Sequence, residues 1–381
     1  MTTELLWRLV DIIEVQQRAG GGVHLGRWTD LHQAACSGDL HLVKAHLQHG
    51  ALIDCRDEHG CTPLHYGAFN GCQALVKLLV HRGAQISVTD KHGWTALHRA
   101  SWNGHTQTAE LLLQRGASTG ASTRCGLTAL HCAAAGGHTL TVQQLLSYGA
   151  SVDATDEHCW TPLHWAVVSD QLHIVEFLLS KGVSIHCTTW GNMTPLHLAA
   201  EAGSKEVIKL LLENGSPVNA EDAVGRTALS IAAANGHEEA VISLLARGAM
   251  DSDRASALHA AAGSGHFRIM ELLMQREANV DVRDGLNLTV LHRAAERGDA
   301  EVAEYLIDCG ADIEARGWLM KTPLHLAMER GHERTIQLLL SKGANMYATN
   351  QWCETPLNIA SAQTFCDGCC LFEKNTPEKQ N

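Results

Sequence analysis

The sequence predicts an all-α fold, a solenoid of helix–turn–helix units joined by hairpin-like finger loops, and three observations predict it. The tetrapeptide TPLH or a close variant begins at Thr29, Thr62, Thr95, Thr128, Thr161, Thr194, Thr227, Ser256, Thr289, Thr322 and Thr355, every interval being 33 residues except the 29 between Thr227 and Ser256. Self-similarity at such a period marks a stacked array, in which neither helix of a unit is long enough to stand alone and neighbours bury its apolar face. The composition agrees: aromatics are only 5% of a chain that is 45% hydrophobic, so the core is built from Leu, Ala, Val and Ile, which suit packed helices.

The elements follow in order along the chain. Residues 1–28 hold an amphipathic stretch with helical spacing through Leu6, Leu9, Val10 and Ile13, then the Gly-rich linker AGGGVHLG. This segment reads as a cap over the first repeat, with a partner-docking helix as the alternative. Repeats 1 to 7 occupy 29–255 and repeats 8 to 11 occupy 256–363. In repeat 3 the spacing predicts a first helix over Thr95 to Asn103, a stop at Gly104, and a second helix over Thr106 to Gln114 carrying the ELLLQ stripe. AQISVTDKHG in repeat 2 alternates briefly and closes an Asp-containing turn with Gly, the pattern of a finger. Repeat 7 has lost four residues between Ala249 and Ala255. That deletion predicts two blocks with a bend between them, or simply a short loop. Ser230 and Asn358 replace the usual His and Asp170 replaces a Gly, which predicts weaker units there. Repeat 11 breaks off where its second helix should start, so it reads as a half-unit cap followed by a disordered tail, 364–381. A zinc site or a lipid at Cys366, Cys369 and Cys370 is only weakly signalled, because CxxC lacks a second pair.

The chain has 24 histidines and 13 cysteines, which raises the question of a metal. His98 belongs to a series with His32, His65, His131, His164, His197, His259, His292 and His325, each opening a separate unit. Metal ligands must lie within a few ångströms of one another, so the periodic series reads as structural. Its role follows from position: Thr is the N-cap, Pro suits the first helical position, and the His three residues after the cap can reach back to it as Glu does in a capping box. The second ring nitrogen is then free for a neighbouring backbone group. The cysteines read as small, reduced core or surface residues.

No cofactor motif appears. AGGGVHLG lacks G-x-G-x-x-G spacing, and neither a phosphate-binding G-x-x-x-x-G-K-[ST] nor HExxH occurs. Acidic pairs such as Asp156 with Glu157 and Glu221 with Asp222 fall in fingers, where turn chemistry explains them. A formal charge of −12 opposes a phosphate backbone, so nucleic acid is not the expected partner. Glu4, Arg8, Asp11 and Glu14 interrupt the N-terminus, which is therefore no signal peptide, and no later window is apolar enough to span a membrane. A soluble monomer of the cytoplasm, with the nucleus also open to it, is the expectation.

DKHGWTALHRASWNGHTQTAELLLQRGAS and KTPLHLAMERGHERTIQLLLSKGAN resemble ankyrin repeats, from about Trp28 to Ala362. The resemblance implies a scaffold or adaptor that grips a protein partner with its finger tips and first helices. The residue after Leu-His and the one three further on share a helix face, which selects Tyr66 with Phe69, Arg99 with Trp102, Cys132 with Ala135, and Trp165 with Val168. Trp94, Trp160 and Trp190 add large side chains on the loops. Trp, Tyr and Arg dominate many interfaces, so these residues are expected to line the concave surface. Packing between adjacent fingers is the alternative use of the same rings. A substrate-receptor adaptor of a ubiquitin ligase is the alternative function, although the tail shows no docking box for one.

Overall fold

The structure, a computed structural model, describes residues 29–250, 257–276 and 278–362. The N-terminal segment, the shortened loop of repeat 7 at 251–256, and the tail all lie outside the described residues, and the expectations placed on them with them. The chain forms two compact units that part between Ser216 and Pro217.

The first unit holds six helix pairs: α1 (Asp30–Ser37) with α2 (Leu40–Gln48), α3 (Pro63–Phe69) with α4 (Gln73–His81), α5 (Ala96–Trp102) with α6 (Thr106–Gln114), α7 (Ala129–Ala135) with α8 (Thr139–Ser147), α9 (Pro162–Val168) with α10 (Leu172–Ser180), and α11 (Pro195–Ala202) with α12 (Lys205–Glu213). First helices pack on first helices and second on second, as a stack requires. The Leu of each Leu-His lies in the core, Leu64, Leu97, Leu130, Leu163 and Leu196 all being 1% exposed or less. Leu79, Leu112, Leu145, Leu178 and Leu211 of the second helices meet them there, fully buried.

The second unit repeats the scheme: α13 (Ala228–Asn235) with α14 (Glu238–Ala246), α15 (Ala257–Ser264) with α16 (Phe267–Met274), α17 (Val290–Arg297) with α18 (Ala300–Asp308), α19 (Pro323–Arg330) with α20 (Glu333–Ser341), and α21 (Pro356–Ala362). Among the described residues the fingers form no strands. Each closes instead through backbone bonds such as Asp90 N–H to Trp94 C=O at 2.9 Å. Isolated bridges at Ser122–Thr128 and Arg283–Thr289 are the only extended pairings described.

Candidate interaction surface

The periodic histidines staple each first helix to the finger that follows it. The amide of Thr62 donates to Nδ1 of His65 at 3.1 Å, which leaves the ring proton on Nε2, and Nε2 donates to the carbonyl of Trp94 at 3.0 Å. The same bonds join Thr95, His98 and Leu127, then Thr128, His131 and Trp160, and in the second unit Thr289, His292 and Lys321. Both ring nitrogens are thus engaged, and neither presents a lone pair to a metal. Burial drives the rings of His65, His98, His164 and His292 down to about 4, so they are neutral at pH 7. Among the described residues no group of three or more His, Cys, Asp or Glu is placed to hold an ion.

Ser230 corrects one expectation. Its hydroxyl accepts the Thr227 amide at 3.1 Å, so the capping box survives the loss of the His, and the repeat expected to be weaker keeps its cap. What a hydroxyl cannot do is span to the following finger.

A second set of histidines acts one turn later. His105 and His138, which precede the second helices, donate from Nε2 to the last carbonyls of the preceding first helices, Phe69 and Trp102, at 2.9 Å each. Each ring lies against a turn glycine of the previous repeat: Gly71 meets His105, Gly104 meets His138, and a Cβ on either would collide with the ring. Asp170 occupies that glycine position with φ 55°, a conformation uncommon for non-glycine residues. Ser204 stands 34 residues later where a histidine would, so the side chain that would have been crowded is small.

The fingers are held by a clamp that repeats with variation. Asp90 accepts the amides of His92 and Trp94 at 2.8 and 2.9 Å through one oxygen, and Arg99 at 2.6 Å through the other. Asp57 does the same with Tyr66 at 2.6 Å, Asp156 with the Trp165 indole at 3.3 Å, and Asp284 with Arg293 at 2.7 Å. In these four clamps the partner lies nine residues on. Where the finger carries Thr123 or Thr189 instead, the residue nine on is Cys132 or Leu198, neither needing an anionic partner. Asp222 faces Ile231 at that offset and takes Arg226 at 2.7 Å from within its own finger. Burial alone would raise the Asp222 carboxyl, but hydrogen bonds from the Arg226 amide and guanidinium and the Val224 amide hold it below the ordinary range.

This clamp changes how the expected surface residues are placed. Tyr66, Arg99 and Trp165 are buried, at 9%, 7% and 2% exposure, because their polar ends turn to the finger carboxylates. They do not form an open strip. Trp94 and Trp160 are buried too, Trp94 edge-on to Trp102 at 6.2 Å and beneath the Arg99 guanidinium, Trp160 against Trp165 at 5.5 Å. Phe69 and Trp102 remain half-buried, in register with half-buried Ala135 and Val168. Trp190 is 72% exposed at a finger tip, its ring against His158 at 5.2 Å. Finger tips in this unit are tied in sequence: Lys91 N–H donates to His59 C=O and Arg124 N–H to His92 C=O, each at 2.9 Å.

Sequence reasoning missed a different set of tips, in the second unit. The finger of repeat 9 has Gly317 where its neighbours have Asp284 and Asn350, and without that acceptor it winds into a turn over Trp318–Met320. Leu319 and Met320 both have positive φ, 57° and 58°, which costs on the order of 1 to 3 kcal/mol per residue. Two features in the sequence could have flagged the site: the missing Asp, and three large apolar residues, Trp-Leu-Met, at a tip where repeat 2 has Lys-His-Gly.

The fold and these contacts define a stacked helical repeat protein whose polar chemistry is spent on joining repeats and stiffening fingers. Models for ankyrin repeats in three copies match residues 10–90, 31–123, 118–189, 183–253 and 247–317, and a model for ankyrin repeats in many copies matches 324–372. The chain belongs to the ankyrin repeat family, whose repeats generally mediate protein–protein interaction. Among solved structures it is similar to the ankyrin repeat domain of human ASB11, at 29% identity and a TM-score of 0.55, over 59% of this chain and 100% of that one. No curated protein matches the chain at a significant level. No helix among the described residues is long and apolar enough to cross a membrane.

Proposed function

We propose that the protein is a non-enzymatic scaffold or adaptor that holds a segment of a partner protein against the concave face of repeats 2 to 5, in the cytoplasm or nucleus. One observation carries this reading. Phe69, Trp102, Ala135 and Val168 recur at 33-residue steps at the ends of successive first helices and stay half-exposed, while Tyr66, Arg99 and Trp165, three residues before the first, second and fourth of them, are locked into the finger clamps. A row of partly open apolar side chains on a stiffened backbone binds with little ordering cost. Tyr66, Arg99 and Trp165 then act as supports that aim this row and the fingers above it. Replacing Phe69 and Trp102 together by Ala should weaken binding to a partner recovered by proximity labelling by about 2 kcal/mol or more, with the helical signal unchanged. Unchanged affinity would remove this face from the function. Recovery of ligase subunits after deletion of repeats 1 to 4 would instead favour an adaptor of a ubiquitin ligase.

A further inference from the structure

The second unit carries an apolar platform on consecutive finger tips, separate from the face just described. Leu286 on the first of three fingers is 47% exposed, Trp318 and Met320 on the next are 57% and 46%, and Trp352 on the third is 57%. The fingers that carry them are fastened side by side: Arg283 Nη1 donates to Arg316 C=O at 2.8 Å, and Gln351 N–H to Leu319 C=O at 2.9 Å. Equivalent tips of the first unit carry mostly charged or polar side chains, such as Glu58, Lys91, Arg124 and Glu157. Exposed Trp and Met on adjoining loops form the kind of contiguous apolar area that soluble proteins seldom leave without a use. The backbone points the same way, since the turn that throws Trp318 and Met320 outward holds two successive non-glycine residues at positive φ.

The charges bordering this platform select the partner. Arg283 and Arg316 are exposed, and among the described residues their guanidinium bonds run to backbone carbonyls alone, of Asn287, Arg316 and Thr349. The other charges nearby are already balanced or engaged: Lys321 pairs with Glu329 at 2.7 Å, Asp284 with Arg293 at 2.7 Å, and Glu354 takes the Asn350 side-chain amide at 3.0 Å. The two arginines therefore offer planar, bidentate sites for carboxylates beside exposed rings, of which Trp352 has the Lys321 ammonium 5.8 Å from its centre. We propose that these three tips bind an extended acidic segment of another protein, whose aromatic or large aliphatic side chains lie on Trp318, Met320 and Trp352 and whose carboxylates meet Arg283 and Arg316. Packed helices set neighbouring repeats about 8 to 10 Å apart. Three tips therefore span two such steps, about 16 to 20 Å, which about five or six extended residues cover.

The proposal rests on the reading above only in taking a protein as the partner, and one experiment separates the two. A random twelve-residue peptide display library is selected on the full chain, and the enriched peptides are measured against Trp318→Ser/Trp352→Ser, Arg283→Glu/Arg316→Glu and Phe69→Ala/Trp102→Ala. All six replaced side chains are at least partly exposed, and the far-UV spectrum and urea midpoint of each variant confirm that it folds. Enriched peptides should combine Asp or Glu with aromatic or large aliphatic residues, and should lose at least tenfold in affinity with either tip variant. The Phe69/Trp102 variant should bind them as wild type does. Three results overturn the proposal: no enrichment, enrichment of basic peptides, or enriched peptides that bind the tip variants unchanged. Loss on the Phe69/Trp102 variant alone would support the first-helix face and remove the tips. Self-association that the Trp318/Trp352 variant abolishes would replace the peptide with a second copy of the chain.

Discussion

Replacing Asp90 should do more damage alone than when Arg99 is replaced with it. Asp90 is 5% exposed, its carboxylate holds two finger amides, and Arg99, 7% exposed, has its guanidinium 2.6 Å away. Asp90→Thr keeps a hydroxyl that can take one amide, as Thr123 takes Leu127 N–H at 3.1 Å, but it strands a buried cation. Breaking a buried pair from one side costs about 3 to 5 kcal/mol, while replacing both partners by groups that pack is close to neutral. The double variant Asp90→Thr/Arg99→Leu recreates the combination found at Thr189 and Leu198, and should lie within about 1 kcal/mol of wild type. Urea unfolding of the two single variants and the double yields the coupling energy directly, and amide exchange at His92 and Trp94 reports the finger itself. Equal destabilisation by Asp90→Thr and by the double variant would refute the clamp, because the arginine would then be indifferent to its carboxylate.

Trp165→Ala should cost about 3 to 5 kcal/mol and Leu112→Ala about 2 to 5, since both side chains are buried; a Trp165 variant as stable as wild type would return that ring to the surface. Acid should weaken the fold early. The staple histidines near 4 in the folded state titrate near 6.5 when unfolded, so the unfolded chain takes up protons first and stability falls as pH drops from about 6.5 to 4, by up to about 3 kcal/mol per fully buried ring. Asp222 and Asp284, held below their usual 3.8, contribute losses only at lower pH, so a urea midpoint that stayed flat between pH 7 and 4.5 would contradict the neutral, doubly bonded rings. Thermal midpoints with and without a strong chelator should coincide, and a fall of several degrees would show that a metal supports the series. If the missing residues of repeat 7 divide the array, hydrogen exchange should show repeats 1 to 7 and 8 to 11 opening separately, whereas one transition for all amides would mean an unbroken stack.

Much of the fold was legible because it depends on local spacing. Thr95 with His98 is a cap written within four residues, the second helix of repeat 3 runs over Thr106–Gln114 as its apolar stripe predicts, and the period alone assigned the buried leucines. The placement of the surface was harder to read. Arg99 and Trp165 sit at a helix position that faces outward by count, and what draws them in is a carboxylate nine residues earlier, on a different element. The partner's identity varies among Tyr, Arg and Trp, so no residue type recurs to signal the pairing. Ser204 was likewise invisible, since its meaning depends on Asp170 in the previous repeat. Repeat 9 departs at Gly317, and the positive φ angles that follow are a property of the folded turn.

The second set of histidines, His105 and His138, has its donor on one repeat and its acceptor at the end of the first helix of the repeat before. Copying any 33-residue stretch therefore copies both halves of a seam, and a lengthened gene encodes an array that already fits itself. Growth and loss of repeats by unequal recombination need no new interface to evolve. Asp170 and Ser204 are the exception: an exchange between them would set the aspartate against an unaltered histidine, so that junction is inherited whole or broken.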